Sequence, residues 1–155
     1  MEVGLQKIHE DEWSVHIGCA RMKIDRFTLA LLHISLEQLI ESERGHAQSP
    51  LQAYVNLGLK MRTLSKLDLQ KLLRELQYDD LLILLRLAED VEFSQQVQQN
   101  IGSMIAKQLS NDLQQEDALP TDEIAKLAIR RLVEKMFQME AAGEIDFYDD
   151  VESYI

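Results

Sequence analysis

The chain has a single cysteine, Cys19, so no disulfide can form within it and a reducing compartment suits it. Proline occurs only at Pro50 and Pro120 and glycine six times, too few breakers for a many-turned sheet protein. Aromatic residues are 6% of the total, which leaves Leu, Ile, Val, Met and Ala to build the core. Basic residues are outnumbered, 16 Lys and Arg against 27 Asp and Glu, for a formal charge of −11. That field repels nucleic-acid phosphates and anionic membrane surfaces, which argues against binding to either, and it attracts a basic partner surface. Acidity serves solubility equally well. No apolar run spans a bilayer, since the richest, Phe27 to Ile34, is short and holds His33. Met1 to Trp13 is mixed and acidic, without the basic-then-apolar order of a secretory signal. A cytoplasmic location is expected, with any membrane association peripheral, at the inner membrane and through a partner complex.

Apolar residues make up 46% and charged residues 28% of 155, ordinary proportions for a globular chain. Helical spacing is frequent. From Trp13 the apolar positions Ile17, Ala20, Ile24, Phe27, Leu31 and Ile34 advance by four and three, which predicts one helix face. Phe27 to Ile34 taken alone reads equally as a buried strand. Residues 1–12 read as a solvated lead-in. Glu43 to Pro50, with Gly45, Ser49 and Pro50, reads as a linker, and Pro50 is suited to open the next helix. Ser65 with Asp68 three residues on makes a helix start, followed by Leu69, Leu72, Leu73 and Leu76. Asp79-Asp80 starts a further helix carrying Leu81, Leu84, Leu85 and Ala88. A longer helix is expected to point Val97, Ile101, Met104, Ile105, Leu109 and Leu113 inward. Gln114 to Pro120 is a polar break. Thr121-Asp122-Glu123 opens the last helix, with Ile124, Leu127, Ala128, Leu132, Met136 and Met139 on its core face and Gly143 as its stop. An acidic tail, Asp149 to Ile155, follows.

The expected fold class is mainly α, an irregular helical bundle or armadillo-like stack, with an N-terminal segment that could contain a strand. Residues 1–50 form an N-terminal helical segment of unassigned role, and residues 51–155 the main helical domain.

Chemistry-bearing clusters are missing. His9, His16, His33 and His46 are scattered, with no pair spaced as helix ligands would be. Cys19 has Arg21 and Lys23 nearby but no base and orienting group. Neither an enzyme nor a metal or cofactor site is expected. Met104, Met136 and Met139 read as core packing.

The ordered set Leu69 to Leu76, Asp79-Asp80-Leu81-Leu82 and Leu85-Arg86-Leu87-Ala88-Glu89 resembles the C-terminal domain of the flagellar motor switch protein FliG. Asn100, Asp112-Leu113, Pro120, the run Glu140-Ala141-Ala142-Gly143-Glu144-Ile145 and the closing Ser153-Tyr154-Ile155 follow in that family's order. The likeness covers roughly residues 66–155. It implies an armadillo-type rotor element whose ridge of alternating charges meets stator or switch proteins by electrostatic complementarity. By position, the ridge's first basic residue falls on Arg86, its second on Met104, and its acidic pair on Asn111 and Asp112. The last basic position falls near Pro120, where no basic residue stands. Lys107, one turn before Asn111, supplies a displaced positive charge. The implied partner-binding residues are therefore Arg86, Lys107, Asn111 and Asp112, and the partners are flagellar switch or stator-like proteins.

Two other readings stand beside this one. The chain could be a helical adaptor unrelated to motility that shares only the fold. Phe27 to His46 and Tyr78-Asp79-Asp80-Leu81 are also similar to the first strand and the signature turn of diguanylate cyclases. That module would be catalytically dead, because His33 and Ser35 stand at the acidic metal positions and the glycines are missing.

Overall fold

Between Val3 and Ile24 apolar and polar residues alternate, and the backbone follows the alternation. Strands β1 (Val3–His9), β2 (Glu12–Ile17) and β3 (Ala20–Ile24) form an antiparallel meander in that order. Pairing sets Val3 opposite Ile17, Leu5 opposite Val15, Val15 opposite Met22 and Trp13 opposite Ile24, so one face of the sheet is apolar. Lys7 also lies on this face, its ammonium 5.5 Å from the centre of the Trp13 ring. The other face carries Gln6, Ser14, His16, Arg21 and Lys23. Gly18, at φ 59, makes the β2–β3 turn.

The helix expected from Trp13 therefore begins only at Arg26. The four-residue steps Trp13–Ile17 and Ala20–Ile24 are even and keep one face of a strand, and the single odd step falls across the Gly18-Cys19 turn. Residues 1–12 are largely solvated, as a lead-in would be, but they form β1 and the start of β2. Phe27 to Ile34, conversely, is helical: α1 runs Arg26–Glu41, and the Thr28 N–H donates to Asp25 at its start. The strand and turn that a cyclase likeness requires are thus helix, since Tyr78 to Leu81 is the first turn of another helix.

The computed structural model describes residues 1–41 and 49–147, and the chain divides into two units, Met1–Ala53 and Tyr54–Ile155. Most of the expected linker, 43–48, and the acidic tail 149–155 lie outside the described residues. Ser49 caps α2 (Pro50–Gly58), which Pro50 opens.

The second unit is built from α3 (Lys66–Glu75), α4 (Tyr78–Ala88), α5 (Val91–Gln99), α6 (Ser103–Gln114) and α7 (Asp122–Ala141), preceded by a 3-10 turn at Leu59–Thr63. Its core is α4 laid along α7, with α3 and α6 at the sides. Leu69, Leu72, Leu81, Leu84, Leu85, Ala128, Ile129, Leu132, Val133 and Met136 are buried together with Phe93, Val97 and Leu109. Gly58 lets the chain approach α4 closely, because a Cβ there would stand 3.0 Å from Leu84.

The helix signals fall where expected. Ser65 Oγ accepts from the Asp68 N–H at 3.2 Å, and the Thr121 hydroxyl accepts from the Ile124 N–H at 3.4 Å. At the end of α7 the Gly143 N–H donates to the Glu140 carbonyl and the Glu144 N–H to the Met139 carbonyl, with Gly143 at φ 74. That pair of bonds is the Schellman stop.

Two helix faces differ from expectation. The single helix over Val97 to Leu113 is two helices broken at Asn100-Ile101-Gly102. The Asn100 amide donates to the Gln96 carbonyl and also receives Gln70 from α3. The break resets the phase, so Met104 is 84% exposed and Ile105 is exposed, whereas Leu109 is fully buried. Met104 is consequently no core residue, unlike Met136 and Met139. On α7 the core face is Ala125, Ala128, Ile129, Leu132, Val133, Met136 and Met139, while Ile124 and Leu127 face outward.

Candidate functional site

α4 and α6 meet at their charged residues. Arg86, in the last turn of α4, donates from Nη2 to the Asp112 backbone carbonyl at 2.6 Å and pairs with Asp117 at 3.5 Å. A guanidinium against the last carbonyls of α6 satisfies groups a helix end leaves open and complements its dipole. The Asp112 carboxylate in turn accepts the Tyr78 hydroxyl from the first turn of α4. Burial, and then the neighbouring Asp112 carboxylate, push the Tyr78 phenol well above its ordinary range. Both ends of α4 are thereby tied to the C-terminal half of α6. The Arg86 side chain is only 15% exposed, and its Nε is buried without a hydrogen-bond partner.

Of the four residues expected to bind a partner, Arg86 and Asp112 are thus brought together, facing each other's helices. Lys107 and Asn111 lie apart from them on the outer face of α6. Met104, Lys107, Gln108 and Asn111 are all exposed and spaced i, i+3, i+4, i+7, which makes them one ridge along the helix. Ile105 flanks it, and Leu109 anchors the opposite side in the core. The ridge holds one charge, Lys107, and one large apolar side chain, Met104.

Beside the Arg86 clamp, a cleft of about 690 Å³ opens between the end of α4, α5 and the end of α6. Leu85, Val91, Leu113 and Leu119 give it apolar walls, and Glu89, Asp90 and Asp117 give it acidic edges. Asp90 is fixed twice. Its carboxylate accepts the Phe93 N–H at 3.0 Å, capping α5, and pairs with Arg62 at 2.6 Å. The Phe93 N–H most of all, then Arg62, hold the Asp90 carboxyl below the usual carboxylate range against the opposing effect of burial.

Sequence reasoning missed the Tyr78–Asp112 bond, the Arg62–Asp90 pair and the burial of Asp80, which receives two hydrogen bonds from Arg131 on α7. An acidic residue one step before the apolar position Leu81, on a helix otherwise lined with leucine, was the available signal for Asp80. Among the described residues no group of three or more His, Cys, Asp or Glu is placed to hold a metal ion. His16 lies over Gly4 on the sheet, and Cys19 is exposed. No described helix is long and apolar enough to cross a membrane.

The second unit is thus a helical scaffold that presents surfaces. The family model of the FliG C-terminal domain matches residues 59–147, more than half of the chain. The protein belongs to the FliG C-terminal domain family. That domain is a non-catalytic part of the flagellar motor switch. No curated protein and no solved structure matches the chain.

Proposed function

We propose that this protein is a non-catalytic interaction module of the flagellar motor that binds switch-complex or stator-like proteins through the outer face of α6. The family supports a motor role, and the Met104–Lys107–Gln108–Asn111 ridge supports the surface. Contact through this ridge combines a single apolar anchor, Met104, with a single positive charge, which suits brief engagement rather than tight binding. Arg86 and Asp112 act in this reading as positioning residues, holding α6 against α4 so that the ridge stays straight.

The internal engagement of Arg86 and Asp112 also favours a second reading, a helical adaptor working outside motility. With both groups turned inward, the ridge keeps little of the alternating charge that a rotor surface carries. Affinity capture against flagellar switch and stator proteins separates the two. The motor reading expects enrichment of a motor component, loss of it in Met104→Asp and Lys107→Glu variants, and impaired swimming in a deletion strain. Normal swimming together with no motor component captured would remove it.

A further inference from the structure

The cleft between the end of α4, α5 and the end of α6 holds polar groups that the fold leaves unused. Glu89 stands exposed at its edge, and among the described residues its carboxylate has no ion-pair partner. Gln95 and Gln98 line the cleft from α5, and Gln114 and Gln115 from the end of α6. None of these side-chain amides has a hydrogen-bond partner among the described residues. Glu89 also holds φ 50, in the left-handed region that glycine fills without strain. A charged side chain is thus kept at the cleft edge where the backbone alone favours none.

We infer that this cleft takes a short extended segment of a partner protein, with apolar side chains flanked by lysine or arginine. Charge complementarity selects the flanks. Three lining carboxylates, Glu89, Asp90 and Asp117, stand against one guanidinium, Arg86, which is already engaged by the Asp112 carbonyl and Asp117. The −11 of the whole chain repels an acidic segment and draws in a basic one. Between those charges Leu113, Val91 and Leu119 offer apolar walls, and Val91 and Leu119 are 70% and 56% exposed. The unused amides select the backbone. Each carries both a donor and an acceptor, which match the N–H and C=O groups that an extended segment leaves open and a helix has already paired.

The size of the cleft sets the strength. About 690 Å³ lies within the range of pockets that enclose a small ligand, so the bound segment is short. Ordering a free segment opposes its binding, and the hold is weak. The α6 positions that line the cleft, Ser110, Leu113 and Gln114, lie about a third of a turn from the Met104–Lys107 ridge. The two surfaces therefore act separately, and Met104→Asp leaves binding in the cleft unchanged, so this inference and the ridge reading fail independently.

Fluorescence anisotropy of the full chain with a labelled peptide, Lys-Arg-Leu-Leu-Arg-Lys, tests this against Lys-Arg-Ser-Ser-Arg-Lys and Glu-Asp-Leu-Leu-Asp-Glu. The expected result is saturable binding of the first, with a dissociation constant on the order of 10⁻⁵–10⁻⁴ M, and binding of each control at least about tenfold weaker. Glu89→Gly removes the unpaired carboxylate and relaxes the backbone. It weakens the first peptide about threefold while the urea midpoint stays the same or rises, so the loss is not one of folding. Leu119→Ser, at an exposed position, weakens it about tenfold. Failure of the first peptide to saturate overturns the inference. Equal binding of the serine peptide does so too, because it marks charge attraction without the cleft. Undiminished binding in both variants has the same consequence.

Discussion

Asp80 on α4 and Arg131 on α7, 51 residues apart, hold each other through two hydrogen bonds of 2.9 and 2.7 Å. Asp80 is buried, while the Arg131 side chain is 57% exposed, so the pair sits at the rim of the core with water reaching one partner only. The hydrogen bond to Asp80 raises the Arg131 guanidinium pKa above its already high ordinary value. Removing the arginine would leave a carboxylate inside with nothing to meet it. Arg131→Ala is therefore expected to lower stability by about 2 kcal/mol, less than for a fully enclosed pair. Arg131→Lys restores only part, since an ammonium cannot make both bonds. Urea unfolding followed by circular dichroism measures both variants.

Gly143 makes a different demand. At φ 74 it lies where a side chain strains the backbone, but a Cβ there would meet nothing within 4 Å. Gly143→Ala is expected to cost about 1 kcal/mol from backbone conformation alone. A midpoint unchanged in urea would show that the α7 stop tolerates another geometry.

Tyr78 gives a pH signature. Its phenol is raised, so the neutral form is favoured in the folded state. That contribution is complete below the ordinary tyrosine range and declines as pH rises from there towards the folded value. Ultraviolet titration should show one of the four tyrosines ionising later than the rest, and Tyr78→Phe should abolish that late step. The same variant loses the bond to Asp112, and a stability change of about 1 kcal/mol is expected.

Asp90 works in the opposite direction. Its carboxyl is depressed, so the stability it adds is present above the ordinary carboxylate range and is lost as pH falls through the folded value. Asp90→Asn keeps an oxygen to accept the Phe93 N–H but surrenders the charge opposite Arg62. A shallower loss of stability on acidification is the expected readout, followed by thermal unfolding at a series of pH values.

The helical unit was legible because its signals were redundant. Ser65, Thr121 and Gly143 mark helix ends where a leucine or methionine face also starts or stops, so two independent cues agree. The α5–α6 break was hidden because Val97, Met104 and Ile105 keep a helical spacing through it. The interruption comes from Asn100 bonding to Gln96 and to Gln70, a residue 30 positions away. In the N-terminal unit a turn at Gly18 absorbed the odd step that distinguishes strand from helix, so period alone misled. The ridge residues rest on the resemblance alone, and the partners that Arg86 and Asp112 take within the fold were not legible in the sequence. Whether a charge faces solvent depends on contacts such as Arg86 to Asp117 that no local pattern encodes.

After Gly143 the chain doubles back: the Lys71 ammonium reaches the Glu144 carbonyl, and the Asp146 N–H reaches the Asp68 carboxylate. Those bonds join positions 73 and 78 residues apart, so α3 is tied to the segment that follows the end of α7. During synthesis these two ties to α3 form only after α7 has emerged. A nascent chain halted before Glu144 would hold most of the leucines and neither of the bolts.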